Sequence, residues 1–279
     1  MAKISKVEIF HRADNIRATA WSKKIKAWIN RNYPKVRIGS DRPSGVIVLG
    51  GDGTILEAAR IFRKTSPLVL GLNLGDVGFL ASARASKDFL PAVGKFLRGE
   101  YGVAKRMMIK ASVVRNGNKV FSTDSLNEVS VQSLLGIVRI EVDIEKHPLQ
   151  FIRGTGILIA TATGSTAYNL SAHGPIVVPE IECMILTEIM DHNIPTPSIV
   201  VKKDQRIRLA VLGFRERGIL SISGTREAVD VLLIADGETI FPLKKNDEVI
   251  LERSPHAIKF AELERNYFFK SLGEKFGFK

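Results

Sequence analysis

The chain has 279 residues, 45% hydrophobic and 25% charged, with 41 Lys and Arg against 29 Asp and Glu for a formal charge of +12. This balance excludes a disordered chain, and the length suits one large domain or two ordinary ones with real cores. The longest apolar runs are strand-length, the Met1–Val7 segment has no leader-like apolar stretch, and Cys183 is alone; these exclude a membrane-spanning helix and a disulfide framework and point to the cytoplasm.

Residues 1–45 hold eleven Lys and Arg against three Asp and Glu, so eight of the twelve net charges lie in the first sixth of the chain. Val7, Ile9 and Phe10 predict a first strand, and Ile25, Trp28 and Ile29 lie at the spacing of one helix face. The basic residues around Trp21–Arg31 then read as the solvated face of that helix. Nucleic acid is not expected as a partner, because few aromatic residues interleave with the basic ones.

Val46–Leu49 predicts a buried strand, Ile55–Arg63 a helix, Leu68–Leu70 a parallel strand, and Phe89–Leu97 a helix stopped near Gly99. After Tyr101 strands dominate. Asn116-Gly117 marks a hairpin turn, and Val138–Glu145 alternates apolar and charged residues without a break. Further strands are expected at Ile207–Leu212, Ile219–Ser223, Val231–Ala235 and Glu248–Leu251, and a helical, aromatic-rich tail at Glu264–Phe278. The reading is an α/β domain with a parallel, Rossmann-like sheet over 1–102. A mainly β, sandwich-like domain covers 103–254, and the tail 255–279 returns to pack on the first domain.

The strongest local signal is Val46–Leu49 followed by Gly50-Gly51-Asp52-Gly53-Thr54. Glycines here let backbone N–H groups approach phosphate oxygens at the carboxyl end of a strand, where a helix N-terminus points. Asp52 in the turn needs a reason, because a bare carboxylate repels phosphate. A helix N-cap is the plain alternative to a proton-transfer or metal role. Dinucleotide G-x-G-x-x-G, P-loop and G-x-S-x-G motifs are absent, and the five histidines show no metal-ligand spacing.

A second cluster runs from Arg153-Gly154-Thr155-Gly156 through a strand to Thr163-Gly164-Ser165-Thr166-Ala167-Tyr168, then Asn169, Leu170 and Ser171. It gathers more hydroxyls than a strand–turn–helix junction needs. A third piece, Asn127-Glu128, sets an amide beside a carboxylate and by itself is an ordinary strand end.

These three pieces, with Asn73–Leu80 and the tail residues Arg265, Phe269, Leu272 and Lys275, resemble the NAD kinase family from about Gly45 onward. The Gly-Gly-Asp-Gly-Thr loop is shared with diacylglycerol and sphingosine kinases, whereas Thr163–Tyr168 is much more specific to NAD kinases. The resemblance implies transfer of a terminal phosphate from ATP or polyphosphate to the adenosine-ribose 2′-hydroxyl of NAD. It makes Asp52 the general base and seats donor phosphates on Gly50, Gly51, Gly53 and Thr54, with Mg²⁺ or another divalent cation on unidentified ligands. Asp52, Gly53 and Phe79 would also meet the nucleotide, and Asn127 and Glu128 would hold its adenine side. Thr163, Thr166, Ala167, Tyr168, Asn169, Leu170 and Ser171 would line the dinucleotide site, with Arg153, Thr155, Met190 and His192 beyond. Alone, His192 reads as a surface histidine. A homodimer or homotetramer is implied as well.

One departure stands out. The family reads Arg-Gly-Asp-Gly where this chain has Arg153-Gly154-Thr155-Gly156, which removes a carboxylate beside the nicotinamide end and implies weaker discrimination of NAD from NADH. A proline also gives way to Ala162, which bears on loop stiffness. A lipid kinase sharing the glycine loop, and a non-catalytic nucleotide- or nucleic-acid-binding protein, are the alternatives.

Overall fold

The computed structural model describes residues 4–75, 78–192, 196–217 and 229–277. The expected strand Ile219–Ser223 and the tail residue Phe278 lie outside the described residues. The chain forms two compact units, Met1–Arg106 with His256–Lys279, and Met107–Pro255. In order the elements are β1 (Lys6–His11), α1 (Ile16–Asn32), β2 (Arg37–Ile38), β3 (Gly45–Leu49), α2 (Asp52–Phe62), β4 (Leu68–Leu72), α3 (Phe89–Arg98) and β5 (Gly102–Arg115). There follow β6 (Asn118–Ser125), β7 (Glu128–Ser133), β8 (Val138–Ile144), β9 (His147–Thr161), the one-turn α4 (Tyr168–Ser171), β10 (Cys183–Asp191) and β11 (Ile199–Lys202). The last are β12 (Ile207–Phe214), β13 (Val231–Ala235), β14 (Thr239–Leu243), β15 (Glu248–Glu262) and α5 (Tyr267–Phe276).

In the first unit β2, β1, β3, β4 and the end of β15 lie side by side, every pair parallel. All residues of β3 and β4 are buried, as expected of strands covered on both faces. Helix α1 starts where the Asn15 side chain accepts the Ala18 N–H at 2.9 Å. It buries Ala18, Ser22, Ile25 and Ile29, one face at helical spacing. Ala18, Ile25 and Ile29 pack with Phe89, Val93 and Phe96 of α3 over Ile47, Leu49 and Leu70. Lys23, Lys24 and Lys26 stay exposed, so this stretch of the basic N-terminal segment is a solvated face. Gly99, left-handed at φ +82°, ends α3.

The parallel arrangement gathers the carboxyl ends of β1, β3, β4 and β15 on one edge of this sheet. The chain leaves the sheet there at Arg12, Gly50, Asn73 and Leu263. The strand order β2–β1–β3–β4 reverses direction between β1 and β3, and such a switch point opens a crevice at the strand ends.

In the second unit β9, fifteen residues long, pairs antiparallel with β7, β8 and β10. The sandwich-like expectation thereby sharpens to one continuous ladder, β14–β13–β7–β9–β8–β12–β15, with β11 beside β10. The β5–β6 hairpin closes at Asn116 and Gly117, both at positive φ, as Asn-Gly turns require. Alternate residues such as Val129, Val131, Ile140, Val142, Ile157 and Ile159 form the core of this second unit.

Candidate active site

In the first unit the glycine loop follows β3 directly. A Cβ on Gly50 would stand 2.3 Å from Thr54 Oγ1, so the tight turn admits only glycine. Ideal Cβ positions on Gly51 and Gly53 meet nothing within 4 Å, so the loop is open on the side of those two residues. Helix α2 begins at Asp52, three residues before the expected start, with Gly51 as its cap residue. Its first N–H groups have no carbonyl within the helix to bind and carry the positive end of its dipole.

Asp52 is not an N-cap. Its carboxylate turns away from its own helix and accepts the N–H of Phe79 at 2.8 Å and of Leu80 at 3.3 Å. Gly78 makes that approach possible, since a Cβ there would lie 2.3 Å from Asp52 Oδ1. Burial pushes the Asp52 carboxyl above its ordinary value of 3.8, while the two amides and the charges of Lys275 and Arg84 pull it back in part. Phe79, expected against the nucleotide, packs on α5, with its ring 5.8 Å from Phe268 and 6.3 Å from Phe276, stacked on the latter.

Beside this loop, at the β1–β3 crevice, a shallow, open depression is lined by Arg12, Asp14, Asn15, Ile16, Arg17 and Thr54. Arg12 pairs with Glu57 at 2.8 Å, and Arg17 reaches the carbonyl of Leu74 at 3.4 Å. Two guanidinium groups, a helix N-terminus and a hydroxyl on one concavity can hold a chain of phosphates.

In the second unit Asn127-Glu128 and the Thr163–Thr166 turn are built against each other. The Thr161 N–H donates to Asn127 O at 2.8 Å. Thr161 Oγ1 donates to Leu126 O at 2.6 Å and accepts the Gly164 N–H at 3.1 Å. A Cβ on Gly164 would sit 2.2 Å from Asn127 O, so backbone packs on backbone there. Thr163, Thr166 and Asn127 are buried, Ala167 and Leu170 half-buried, Tyr168 and Ser171 exposed. The Tyr168 hydroxyl donates to Gln132 Oε1 at 3.2 Å.

Asn169 differs from the expectation. It is fully buried, donates to Pro175 O at 3.0 Å and accepts from Thr187 Oγ1 at 2.7 Å. Its side chain braces the turn and faces no open surface. Ser165 is engaged likewise, donating to Ala162 O at 2.7 Å and accepting the Val177 N–H at 3.0 Å.

Glu128 is buried, and its Oε2 has no hydrogen-bond partner among the described residues. Burial, with the neighbouring charge of Asp236, pushes it up to about 8. The Tyr168 hydroxyl is raised too, by burial and then by Glu128. Asp236 was not legible as a site residue. At φ +49° in the turn after β13, it accepts the N–H of Leu126 at 2.9 Å and of Asn127 at 2.7 Å, and the Ser125 hydroxyl at 2.5 Å. A longer bond from the Glu128 N–H, at 3.3 Å, completes the set. Asp236 and Gly237 form the turn between β13 and β14, and nothing local in the sequence shows that the Asp236 carboxylate points inward.

Arg153, Thr155, Met190 and His192 form a separate group, on β9 and at the end of β10. The His192 N–H donates to Arg153 O at 2.9 Å, and the Arg153 N–H to Asp191 Oδ1 at 3.1 Å. Met190, at φ +47°, is 78% exposed. Among the described residues, no cluster of three or more His, Cys, Asp or Glu could cage a metal ion. No helix among them is long and apolar enough to cross a membrane.

Comparison with known proteins matches residues 8–101 to the ATP-NAD kinase N-terminal domain and 126–263 to the ATP-NAD kinase C-terminal domain. The chain is 35% identical over 235 residues to the NAD kinase of Lachnoclostridium phytofermentans, spanning 83% of this chain and 79% of that one. With the NAD kinase of Heliobacterium modesticaldum it shares 32% over 254 residues, 90% and 85% of the two chains. Yeast NADH kinase complexed with NADH has the same fold, with TM-score 0.87 at 20% identity over 100% of this chain and 89% of that one. So does an Archaeoglobus fulgidus NAD kinase in complex with ATP, with TM-score 0.74 at 23% identity over 98% and 99%. The chain belongs to the NAD kinase family. It is an enzyme, a kinase acting on NAD, and the lipid-kinase and non-catalytic alternatives find no support.

Proposed function

We propose that this kinase takes its phosphate from ATP and that Asp52 is the base that accepts the proton of the NAD 2′-hydroxyl. The observation that carries this reading is the Asp52 carboxylate, held by the Phe79 and Leu80 amides at the head of α2, beside the depression lined by Arg12, Arg17 and Thr54. The acceptor oxygen bonds to the terminal phosphorus as the β,γ-bridging P–O bond breaks. ADP leaves, and the hydroxyl proton passes to Asp52. A carboxylate is a weak base toward an alcohol, so its effect is mainly alignment. Burial helps by raising its proton affinity.

Donor phosphates would lie on the amides of Gly51–Thr54, with Arg12 and Arg17 compensating their charge. The described residues offer no carboxylate cage. A divalent cation bound with the nucleotide would neutralise part of the phosphate charge there. Polyphosphate, a chain of the same chemistry, suits the same depression as an alternative donor. Asn127 and a protonated Glu128 would bind the adenine side of NAD. Tyr168 offers a ring for stacking, Thr163, Thr166, Ala167, Leu170 and Ser171 would line the same ligand, and Gly53 is a further residue proposed to meet the nucleotide. Arg153, Thr155, Met190 and His192 would meet its nicotinamide side.

A homodimer or homotetramer fits the exposed apolar side chains Leu149, Phe151 and Met190 on β9 and β10, and the cytoplasm suits the substrates. The test is incubation with NAD and Mg-ATP or polyphosphate, reading NADP. Asp52→Asn is expected to lower kcat by about 10²-fold or more with little change in KM. Retention of most activity by that variant sinks the assignment.

A further inference from the structure

The two amides that hold Asp52 belong to a loop that is itself held from the far end of the chain. The carbonyl of Gly78 and the N–H of Phe79 are opposite ends of one planar peptide. Its N–H donates to Asp52 Oδ2 at 2.8 Å, and its carbonyl accepts Arg84 Nη2 at 3.2 Å. Turning this peptide over would face the carboxylate with a carbonyl oxygen in place of a donor.

The Arg84 guanidinium is fixed on its remaining sides. Its Nε donates to the Tyr267 hydroxyl at 2.7 Å, and its other N–H groups meet Ser271 Oγ and the Glu274 carboxylate, all three on α5. Its carbon lies 4.6 Å from the centre of the Tyr267 ring. The Arg84 side chain is only 19% exposed. A planar fork with fixed donor directions suits this task better than an ammonium. Phe79, the next residue, stacks on Phe276 of the same helix.

We propose that Arg84 is a positioning residue for Asp52, orienting the Gly78–Phe79 peptide so that its N–H holds the catalytic carboxylate. A hydrogen bond at the carbonyl also polarises the peptide and strengthens the bond from its N–H. The inference rests on Asp52 being the base. The ionisable groups around Asp52 are Arg84, Lys275 and Tyr267. Arg84 and Lys275 favour its ionised form, so loss of Arg84 should push the carboxyl further up.

The experiment compares wild type, Asp52→Asn, Arg84→Met and Arg84→Lys in kcat, KM for NAD and for Mg-ATP, and the pH profile of kcat/KM. Asp52→Asn tests the base reading alone, and high activity in that variant removes the reading. With Asp52→Asn inactive, Arg84→Met is expected to lose about tenfold or more in kcat with both KM values near wild type. Its acidic limb should move to higher pH. Arg84→Lys keeps the cation and should keep the limb while losing part of kcat. Tail docking alone would change thermal stability without moving the limb. Wild-type kcat and an unmoved limb in Arg84→Met overturn the proposal, as does a rise in donor KM alone. Should Arg84→Met not fold, wild-type kcat in Arg84→Lys overturns it equally.

Discussion

Asp236 accepts the backbone N–H of Asn127 at 2.7 Å across 109 residues of chain, and so fixes the turn that presents Asn127 and Glu128. One buried carboxylate gathers three backbone donors and a hydroxyl, an arrangement that leaves several buried N–H groups orphaned if it is removed. Asp236→Ala is expected to destabilise the protein by about 2–4 kcal/mol in urea denaturation. The same variant should raise the KM for NAD more than the KM for the donor. Equal rises in the two would remove the link between this carboxylate and the dinucleotide.

Glu128 makes stability depend on pH in an unusual direction. Its folded carboxyl is pushed up to about 8 against an ordinary value of 4.5, mainly by burial. Between those values the unfolded chain has released a proton that the folded chain retains. Stability from this group is therefore complete below the lower value and lost as pH rises through the upper one. Glu128→Gln mimics the neutral acid and should flatten this part of the profile. Thermal unfolding from about pH 5 to about pH 9 checks it; equal slopes for variant and wild type exclude Glu128 as the source.

Thr155 sits on β9 between Gly154 and Gly156, whose ideal Cβ positions would lie 2.5 Å from Met190 O and 2.1 Å from Val131 O. Both neighbours are thus pinned to adjacent strands, and alternation turns the Thr155 side chain to the opposite face. Thr155→Asp restores a charge that attracts an oxidised, cationic nicotinamide ring. The preference for NAD over NADH in kcat/KM should rise about fivefold, the effect of an exposed charge pair. An unchanged ratio means that this position does not read the ring.

Donor affinity should respond to salt. Arg12 is already paired with Glu57, which leaves Arg17 as the stronger attraction for phosphate on the depression beside Thr54. The KM for Mg-ATP is expected to rise with ionic strength, and Arg17→Ala should raise it at low salt and flatten the dependence. A salt-independent KM in wild type would make the basic N-terminal segment a solvated surface throughout.

Elements defined by local pattern were legible: the buried runs of β3 and β4, the apolar face of α1, and the Asn116-Gly117 hairpin. The glycine loop was legible because close backbone approach demands glycine at fixed positions. Facing was not. Asn169 entered the site only through the family resemblance, and its amide packs inward on Pro175 and Thr187. Asp52 was legible as a residue in need of a partner, but its partners lie 27 and 28 residues away. Arg84 lies 183 residues from Tyr267 and Asp236 lies 111 from Ser125. Contacts at such separation follow from which strand ends share an edge, and no local window contains that information.

The hold of α5 on the Gly78–Phe79 peptide also orders events during synthesis. A ribosome makes β1, β3 and β4 long before Tyr267–Phe276 emerges, so the glycine loop exists first beside an unbraced carboxylate. Full activity would then await the docking of α5. A proteolytic nick near residue 265 would lower kcat while leaving β1, β3 and β4 intact.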